Sequence, residues 1–143
     1  MKKLILAAVL AGAPVFAWAE GVMHKIAVHV NSGDAQVMNI ALNNIENVVS
    51  YYKSKGDDVT VELVAYGPGL IMLMPGQSPV EERVKTMHLG LDHLQFSACG
   101  NTLAKMSKKA GKELSVMEEA QVVPSGVVRL VELQEDGYAY VKP

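Results

Sequence analysis

The chain is short of cysteine: Cys99 is the one cysteine among 143 residues. A Cys-x-x-Cys redox pair is therefore excluded, and any disulfide would have to join two chains. A lone cysteine is either an inert side chain, because free cysteines are often buried, or a working thiol. Its place in the fold decides between these interpretations.

The chain also lacks an excess of positive charge. It carries 13 Lys and Arg against 15 Asp and Glu, which gives a formal net charge of −2. Nucleic-acid binding depends on clustered basic side chains that neutralise phosphates. The charge balance therefore argues against a nucleic-acid partner.

Signals for metal and cofactor sites are missing as well. The four histidines form two pairs, His24 with His29 and His88 with His93, whose members are five residues apart. That spacing places two side chains on one face of neither a helix nor a strand. Gly67-Pro68-Gly69 is too short for a phosphate-binding or dinucleotide fingerprint. We therefore expect no metal site and no cofactor.

The N-terminus has the three parts of a Sec signal peptide. Lys2 and Lys3 start it, a short apolar stretch follows, and Ala17-Trp18-Ala19 offers the small residues that signal peptidase accepts. The apolar stretch is shorter than the about 20 residues that span a bilayer as a helix. We expect residues 1–19 to be removed and residues 20–143 to form one mature domain, free of the membrane and, in a Gram-negative source, periplasmic.

The mature sequence alternates short apolar runs with helical patterns, which is typical of βαβ units and a parallel sheet. The strands are predicted at residues 25–30, 59–65, 94–98, within 116–123, and at 138–141. The sequence therefore predicts a single doubly wound α/β domain with about five mostly parallel strands and helices on both faces. A flavodoxin-like strand order would place the first strand beside the third.

The predicted fold places Cys99 at the carboxyl end of the third strand, where ligands gather in open parallel sheets. A helix begins directly after it, and the N–H groups and dipole at a helix N-terminus lower the pKa of a cysteine. This position favours a working thiol. The other residues predicted to line its pocket lie at neighbouring strand ends and at the helix start: Asn31, Gly67, Gly69, Gly100, Asn101 and Thr102.

A protease-like Cys–His pair would need a histidine within hydrogen-bond reach of Cys99. His93 lies at the opposite end of the same predicted strand, about 20 Å away, which is too far. His29, near the end of the first strand, could come close in a flavodoxin-like order. A structural role is nevertheless the favoured interpretation of His29.

Residues 70–74, Leu-Ile-Met-Leu-Met, have no polar face. In a small domain such a run is either fully buried or a contact between subunits. We expect it to be a subunit interface.

Several segments, taken in order, resemble the DsrE/DsrF-like family across essentially the whole mature chain. They are residues 29–31, 41–47, 61–69, 96–103, 125–128 and 137–141. The resemblance implies a five-stranded doubly wound fold and a homo-oligomer, often a trimer or hexamer. It also implies a role in sulfur handling, in which Cys99 carries sulfur as a persulfide and passes it to a thiol-bearing acceptor protein.

The leading prediction is therefore a periplasmic sulfur-binding or sulfur-transfer protein that uses Cys99 as its carrier. Two alternatives remain open. The chain could be a non-catalytic module that binds a small ligand while Cys99 is incidental, or a structural oligomer.

Overall fold

A computed structural model describes residues 21–143, so the predicted signal peptide and its cleavage site lie outside the described residues. Five strands alternate with four α-helices, and a 3₁₀ helix follows the second strand. The elements are β1 Met23–Val30, α1 Ala35–Ser54, β2 Asp58–Ala65, the 3₁₀ helix Gly67–Leu73, α2 Glu81–Gly90, β3 Leu94–Cys99, α3 Gly100–Ala110, β4 Ala120–Val123, α4 Gly126–Glu135 and β5 Ala139–Val141. Within residues 21–143, no helix is both long enough and apolar enough to cross a membrane.

The strands form one sheet in the order β4-β3-β2-β1-β5, and every neighbouring pair is parallel. The predicted α/β class is thereby confirmed. The order differs from the flavodoxin-like order, because β2 lies between β1 and β3. The strands that carry His29 and Cys99 are therefore two apart rather than adjacent.

Helices cover both faces of the sheet as a consequence of this strand order. Right-handed crossovers that step from β1 to β4 in one direction place α1, α2 and α3 on one face. The return from β4 to β5 places α4 on the opposite face. Alternate strand residues accordingly enter two cores, since side chains of a strand alternate between faces.

The larger core lies under α1, α2 and α3, where Val28, Leu63 and Phe96 point from three neighbouring strands. A large apolar side chain that is fully buried contributes about 1.5–3 kcal/mol to folding. The smaller core lies under α4 and consists of Ala27, Val64, Leu130 and Leu133, with Tyr66 and Tyr138 packed against it. Most of the stabilising burial is thus on the side away from α4.

Residues 70–74 belong to the larger core, so the prediction that they form a subunit interface is wrong. Leu70, Met72, Leu73 and Met74 are each at most 1% exposed. The 3₁₀ helix folds this apolar run beneath the loop before β4, where Met117 N–H donates to the Leu73 carbonyl at 2.9 Å. Its fully apolar character reflects burial of four of its five side chains, while Ile71 is partly buried against the same core.

The helix ends follow the sequence signals. Asp34 caps α1, because its side chain accepts a hydrogen bond from Gln36 N–H at 2.8 Å. Gly111 ends α3 in the left-handed region with φ of 67°, a conformation that favours glycine.

Candidate functional site

Cys99 ends β3 and also serves as the N-cap of α3, with extended backbone angles. Its Cα is the register partner of Val123 on β4. The residue is 5% exposed, so its sulfur lies just beneath the surface at the carboxyl edge of the sheet. The structure therefore places Cys99 where the sequence predicted it.

Two opposing effects act on the thiol, and the net result is a lowered pKa for Cys99. Burial is the largest of them and raises the pKa, because it disfavours the charged form. Hydrogen bonding from the Thr102 hydroxyl and from the N–H groups of Gly126, Thr102 and Asn101 lowers it. Together these donors outweigh burial, so the site stabilises the thiolate, which is the nucleophilic form.

The Thr102 hydroxyl is oriented by a second contact. Gly67 N–H donates to Thr102 Oγ1 at 3.0 Å, which uses the hydroxyl as an acceptor. A hydroxyl has one proton to donate, so that proton is left for the sulfur of Cys99. The start of the 3₁₀ helix thereby helps to set the ionisation of the cysteine.

The donors come from two helices rather than one. Asn101 and Thr102 belong to the first turn of α3, and Gly126 is the first residue of α4. Both N-termini carry a partial positive charge, and the Asn101 N–H also donates to the Pro124 carbonyl oxygen at 3.2 Å. A Cβ at Gly126 would lie 3.1 Å from Cys99 Cβ and 3.0 Å from Tyr66 Cδ1, so glycine is what allows α4 to approach.

The remaining residues of the predicted pocket divide into two groups. Asn101, Thr102 and Gly67 take part in the hydrogen bonding around Cys99. Gly100 and Gly69 instead permit close packing. A Cβ on Gly100 would lie 3.0 Å from the Val123 carbonyl oxygen, and a Cβ on Gly69 would clash with the Val30 carbonyl oxygen.

The sixth residue of the predicted pocket, Asn31, lies beside Gly69 just after β1, two strands from Cys99. The structure shows no hydrogen bond between its side chain and the residues around the thiol. Asn31 is thus at the predicted edge of the sheet but not at the sulfur.

A histidine and two tyrosines form a stack next to the Cys99 donors. His29 stacks on Tyr66, with ring centroids 4.6 Å apart, and its Nδ1 lies 2.6 Å from the Tyr140 hydroxyl oxygen. Tyr66 in turn borders Gly126. Burial, aided by the charge of Lys142, lowers the pKa of His29, so the ring is neutral near pH 7.

An ion pair between a buried carboxylate and a partly exposed arginine, which the sequence analysis did not predict, holds α4 on the sheet. Arg129 donates from Nε to Glu62 Oε1 at 2.8 Å and from Nη2 to Glu62 Oε2 at 2.7 Å. Ser97 also donates to Glu62 Oε1 at 2.6 Å, and Gln121 Nε2 donates to Ser97 at 3.0 Å. This network joins α4 to β2, β3 and β4, and the Glu62 carboxylate raises the pKa of Arg129.

An open groove of about 440 Å³ runs between α4 and the edge strand β4. Val123, the register partner of Cys99, lies in its lining. Arg129 and Glu132 line its other side. The groove therefore lies beside the strand end that pairs with Cys99.

His93 immediately precedes β3, at the amino end of the strand that Cys99 ends. It is therefore remote from the thiol, as its spacing predicted. Among residues 21–143, no three His, Cys, Asp or Glu side chains are grouped so that they could hold a metal ion.

Comparison with known proteins supports the fold. A similar solved structure is that of a protein of unknown function, MTH1491, from Methanobacterium thermoautotrophicum. It has a TM-score of 0.68 and 27% sequence identity, and the match covers 84% of this chain and 99% of the other. No protein-family model matches this chain, and no curated protein does so either.

Proposed function

We propose that the chain is a periplasmic sulfur-binding or sulfur-transfer protein of the DsrE/DsrF-like kind that carries sulfane sulfur as a persulfide on Cys99. The observation that supports this most directly is the set of donors that lower the pKa of Cys99 despite its burial. An inert core cysteine has no need of such donors, and burial alone would raise its pKa. It suits a thiol that must act as a thiolate.

The transfer needs no external oxidant. The Cys99 thiolate attacks the outer sulfur of a donor R–S–SH, a new S–S bond forms, and R–S⁻ leaves with the electron pair of the broken bond. An acceptor thiolate then attacks the outer sulfur on Cys99, and the Cys99 thiolate leaves. The same N–H groups that stabilise the thiolate before the first step stabilise it as the leaving group in the second.

Access to the sulfur is restricted, which suits a carrier more than an open enzyme active site. Cys99 is 5% exposed, and Gly126 and Tyr66 lie against it. We assign the approach of a donor or an acceptor thiol to the groove beside β4, because Val123 in its lining pairs in register with Cys99. If the protein has an enzymatic activity, we expect it to be that of a sulfurtransferase.

The decisive experiment is intact-mass measurement of the mature protein before and after exposure to polysulfide. We expect a gain of about one sulfur atom that reductant reverses and that Cys99→Ser lacks. A free, unreacted thiol after the exposure would contradict the proposal and would favour a ligand-binding module in which Cys99 is incidental.

We also propose that the protein assembles as a homo-oligomer, a trimer or hexamer. With residues 70–74 buried, the contact surface is assigned to α4, where Val127, Val128 and Val131 are 56%, 51% and 49% exposed. Exposed apolar side chains grouped on one helix are typical of an interface. Light scattering should show dissociation in Val127→Glu, and a wild-type monomer would contradict the assignment.

The periplasmic location stays a prediction that rests on the signal peptide. N-terminal sequencing of the protein recovered from a periplasmic extract should begin at Glu20. An intact Met1 in the soluble cytoplasmic fraction would contradict it.

A further inference from the structure

The side chain of Tyr66 packs between the smaller core and the residues around Cys99. It is partly buried against the core under α4, and its ring stacks on His29 with ring centroids 4.6 Å apart. A Cβ on Gly126 would lie 3.0 Å from Tyr66 Cδ1, 3.1 Å from Tyr66 Cβ and 3.1 Å from Cys99 Cβ. Gly126 is therefore packed closely against both side chains, the tyrosine and the cysteine.

The first turn of α4 has no side-chain cap of its own. Ser125 is the N-cap residue, yet its hydroxyl makes no capping hydrogen bond. A capping side chain normally ties the first turn of a helix to the residue before it. Arg129 anchors α4 one turn further along, through its ion pair with Glu62. The position of Gly126 N–H thus depends on what packs against the first turn.

The Tyr66 ring rests on a fixed base. His29, on which it stacks, is 4% exposed, and His29 Nδ1 lies 2.6 Å from the Tyr140 hydroxyl oxygen. The main chain is fixed too, because Tyr66 N–H donates to the Val30 carbonyl at 3.2 Å and the Tyr66 carbonyl accepts from Gly69 N–H at 3.1 Å. A ring held at its face and at its backbone defines where the first turn of α4 packs.

Tyr66 is also connected to a second donor of the sulfur. The next residue, Gly67, donates its N–H to Thr102 Oγ1 at 3.0 Å. Thr102 in turn donates its hydroxyl proton to Cys99. The side chain of Tyr66 thus meets one donor, Gly126, while the adjacent peptide orients another.

We propose that Tyr66 is a positioning residue for Cys99, whose ring holds the first turn of α4 where Gly126 N–H meets the sulfur. The inference rests on the proposed function, since a persulfide carrier needs a stable thiolate both as nucleophile and as leaving group. Tyr66 acts through Gly126 and exchanges no proton. Its contacts with Gly126 use Cβ and Cδ1, so the hydroxyl is not required.

The first test is the pH profile of Cys99 alkylation, because its midpoint reports the pKa of the thiol and its plateau reports access to it. Tyr66→Ala should raise the midpoint by about one pH unit, from the loss of one hydrogen bond to a charged group. Removing the ring also admits water, which lowers the pKa of a buried thiol. A raised midpoint therefore comes from the donors, and an unchanged or lowered midpoint would overturn the proposal.

Two further variants separate positioning from general packing. Tyr66→Phe keeps Cβ and Cδ1 and should retain the wild-type midpoint. Tyr138→Ala is the matched control, because Tyr138 packs against the same small core but follows the C-terminal end of α4, where its N–H donates to the Leu133 carbonyl at 2.9 Å. It should lower the urea midpoint of unfolding and leave the alkylation midpoint unchanged. An equal rise of the alkylation midpoint in Tyr138→Ala would overturn the proposal.

The second test follows the Gly126 amide by NMR during a pH titration. Its proton resonance should move with the ionisation of Cys99 in wild type, stay fixed in Cys99→Ser, and move less in Tyr66→Ala. A Gly126 resonance that moves equally in wild type and Tyr66→Ala would overturn the proposal. If Tyr66→Ala does not fold, Tyr66→Leu replaces it, because leucine keeps apolar volume but has no flat ring to stack on His29.

The two proposals can fail separately. Sulfur loading on Cys99 together with an unchanged alkylation midpoint in Tyr66→Ala would remove the inference and keep the persulfide function. A midpoint that depends on Tyr66, with no sulfur ever found on Cys99, would do the reverse.

Discussion

Arg129 of α4 forms a two-point ion pair with the 4%-exposed carboxylate of Glu62 on β2. The pair lies one helical turn from Gly126, whose N–H helps to stabilise the Cys99 thiolate. Because Ser97 and Gln121 extend the network to β3 and β4, the position of α4 is fixed relative to the strand that carries the cysteine. The network thereby connects fold stability to the chemistry of the site.

Removing the Glu62 charge should destabilise the fold. Loss of one partner of a buried pair costs about 3–5 kcal/mol, and partial exposure of Arg129 reduces the expected cost of Glu62→Gln to about 2–3 kcal/mol. Urea unfolding measures this change in the free energy of unfolding. Glu46→Gln is the matched control, because the Glu46–Arg83 pair is largely solvated and should contribute at most about 1 kcal/mol. Equal losses in the two variants would contradict the assignment of a buried, structural pair.

Replacing Thr102 by valine should raise the pKa of Cys99. The variant keeps the shape of the side chain but removes the hydroxyl that donates to the sulfur, and it leaves Gly67 N–H without its acceptor. We expect alkylation of Cys99 near neutral pH to slow about tenfold. Thr102→Ser should react nearly as wild type does. An unchanged rate in Thr102→Val would show that the backbone N–H groups alone set the ionisation.

Gly126→Ala should lower both the stability of the fold and the reactivity of the Cys99 thiol. The added Cβ meets side-chain atoms of Tyr66 and Cys99 at 3.0–3.1 Å, so these neighbours must shift by a few tenths of an ångström around the sulfur. Overpacking of this kind costs about 1–3 kcal/mol. Gly90→Ala is the control, since a Cβ there has no neighbour within 4 Å and should leave the unfolding midpoint nearly unchanged. A Gly126→Ala protein with wild-type stability and wild-type alkylation would contradict the close approach.

Local patterns predicted the fold well because each element carries its own signal. The strand β3 was expected from the apolar run at residues 94–98 and the start of α3 directly after Cys99, and both form there. The position of Cys99 at a strand end follows from those bounds alone. The strand order does not follow from them, and the actual order separates His29 from Cys99 by a strand.

The parts of the site that were missed depend on contacts across the sheet. Gly126 follows Cys99 by 27 positions, and its N–H comes near the sulfur because Val123 at the end of β4 pairs with Cys99. Glu62 and Arg129 are 67 positions apart in the sequence, and no local pattern around either residue predicts that they pair. Residues 70–74 were misassigned because an apolar run is the same whether a subunit or the chain itself covers it.

The lowered pKa of Cys99 makes the stability of the protein depend on pH in a definite direction. Burial raises the pKa, but the Thr102 hydroxyl and the three N–H groups bring the folded-state value below the ordinary 9.0 of a thiol. A group whose pKa is lowered by folding stabilises the folded state above its unfolded pKa, and this contribution is lost as the pH falls through the folded pKa. The stability of wild type should therefore increase relative to Cys99→Ser as the pH rises from neutral to about 9. Urea unfolding of both proteins across this range measures the difference, and Thr102→Val should reduce its slope; a difference that does not change with pH would mean that the fold does not favour the thiolate.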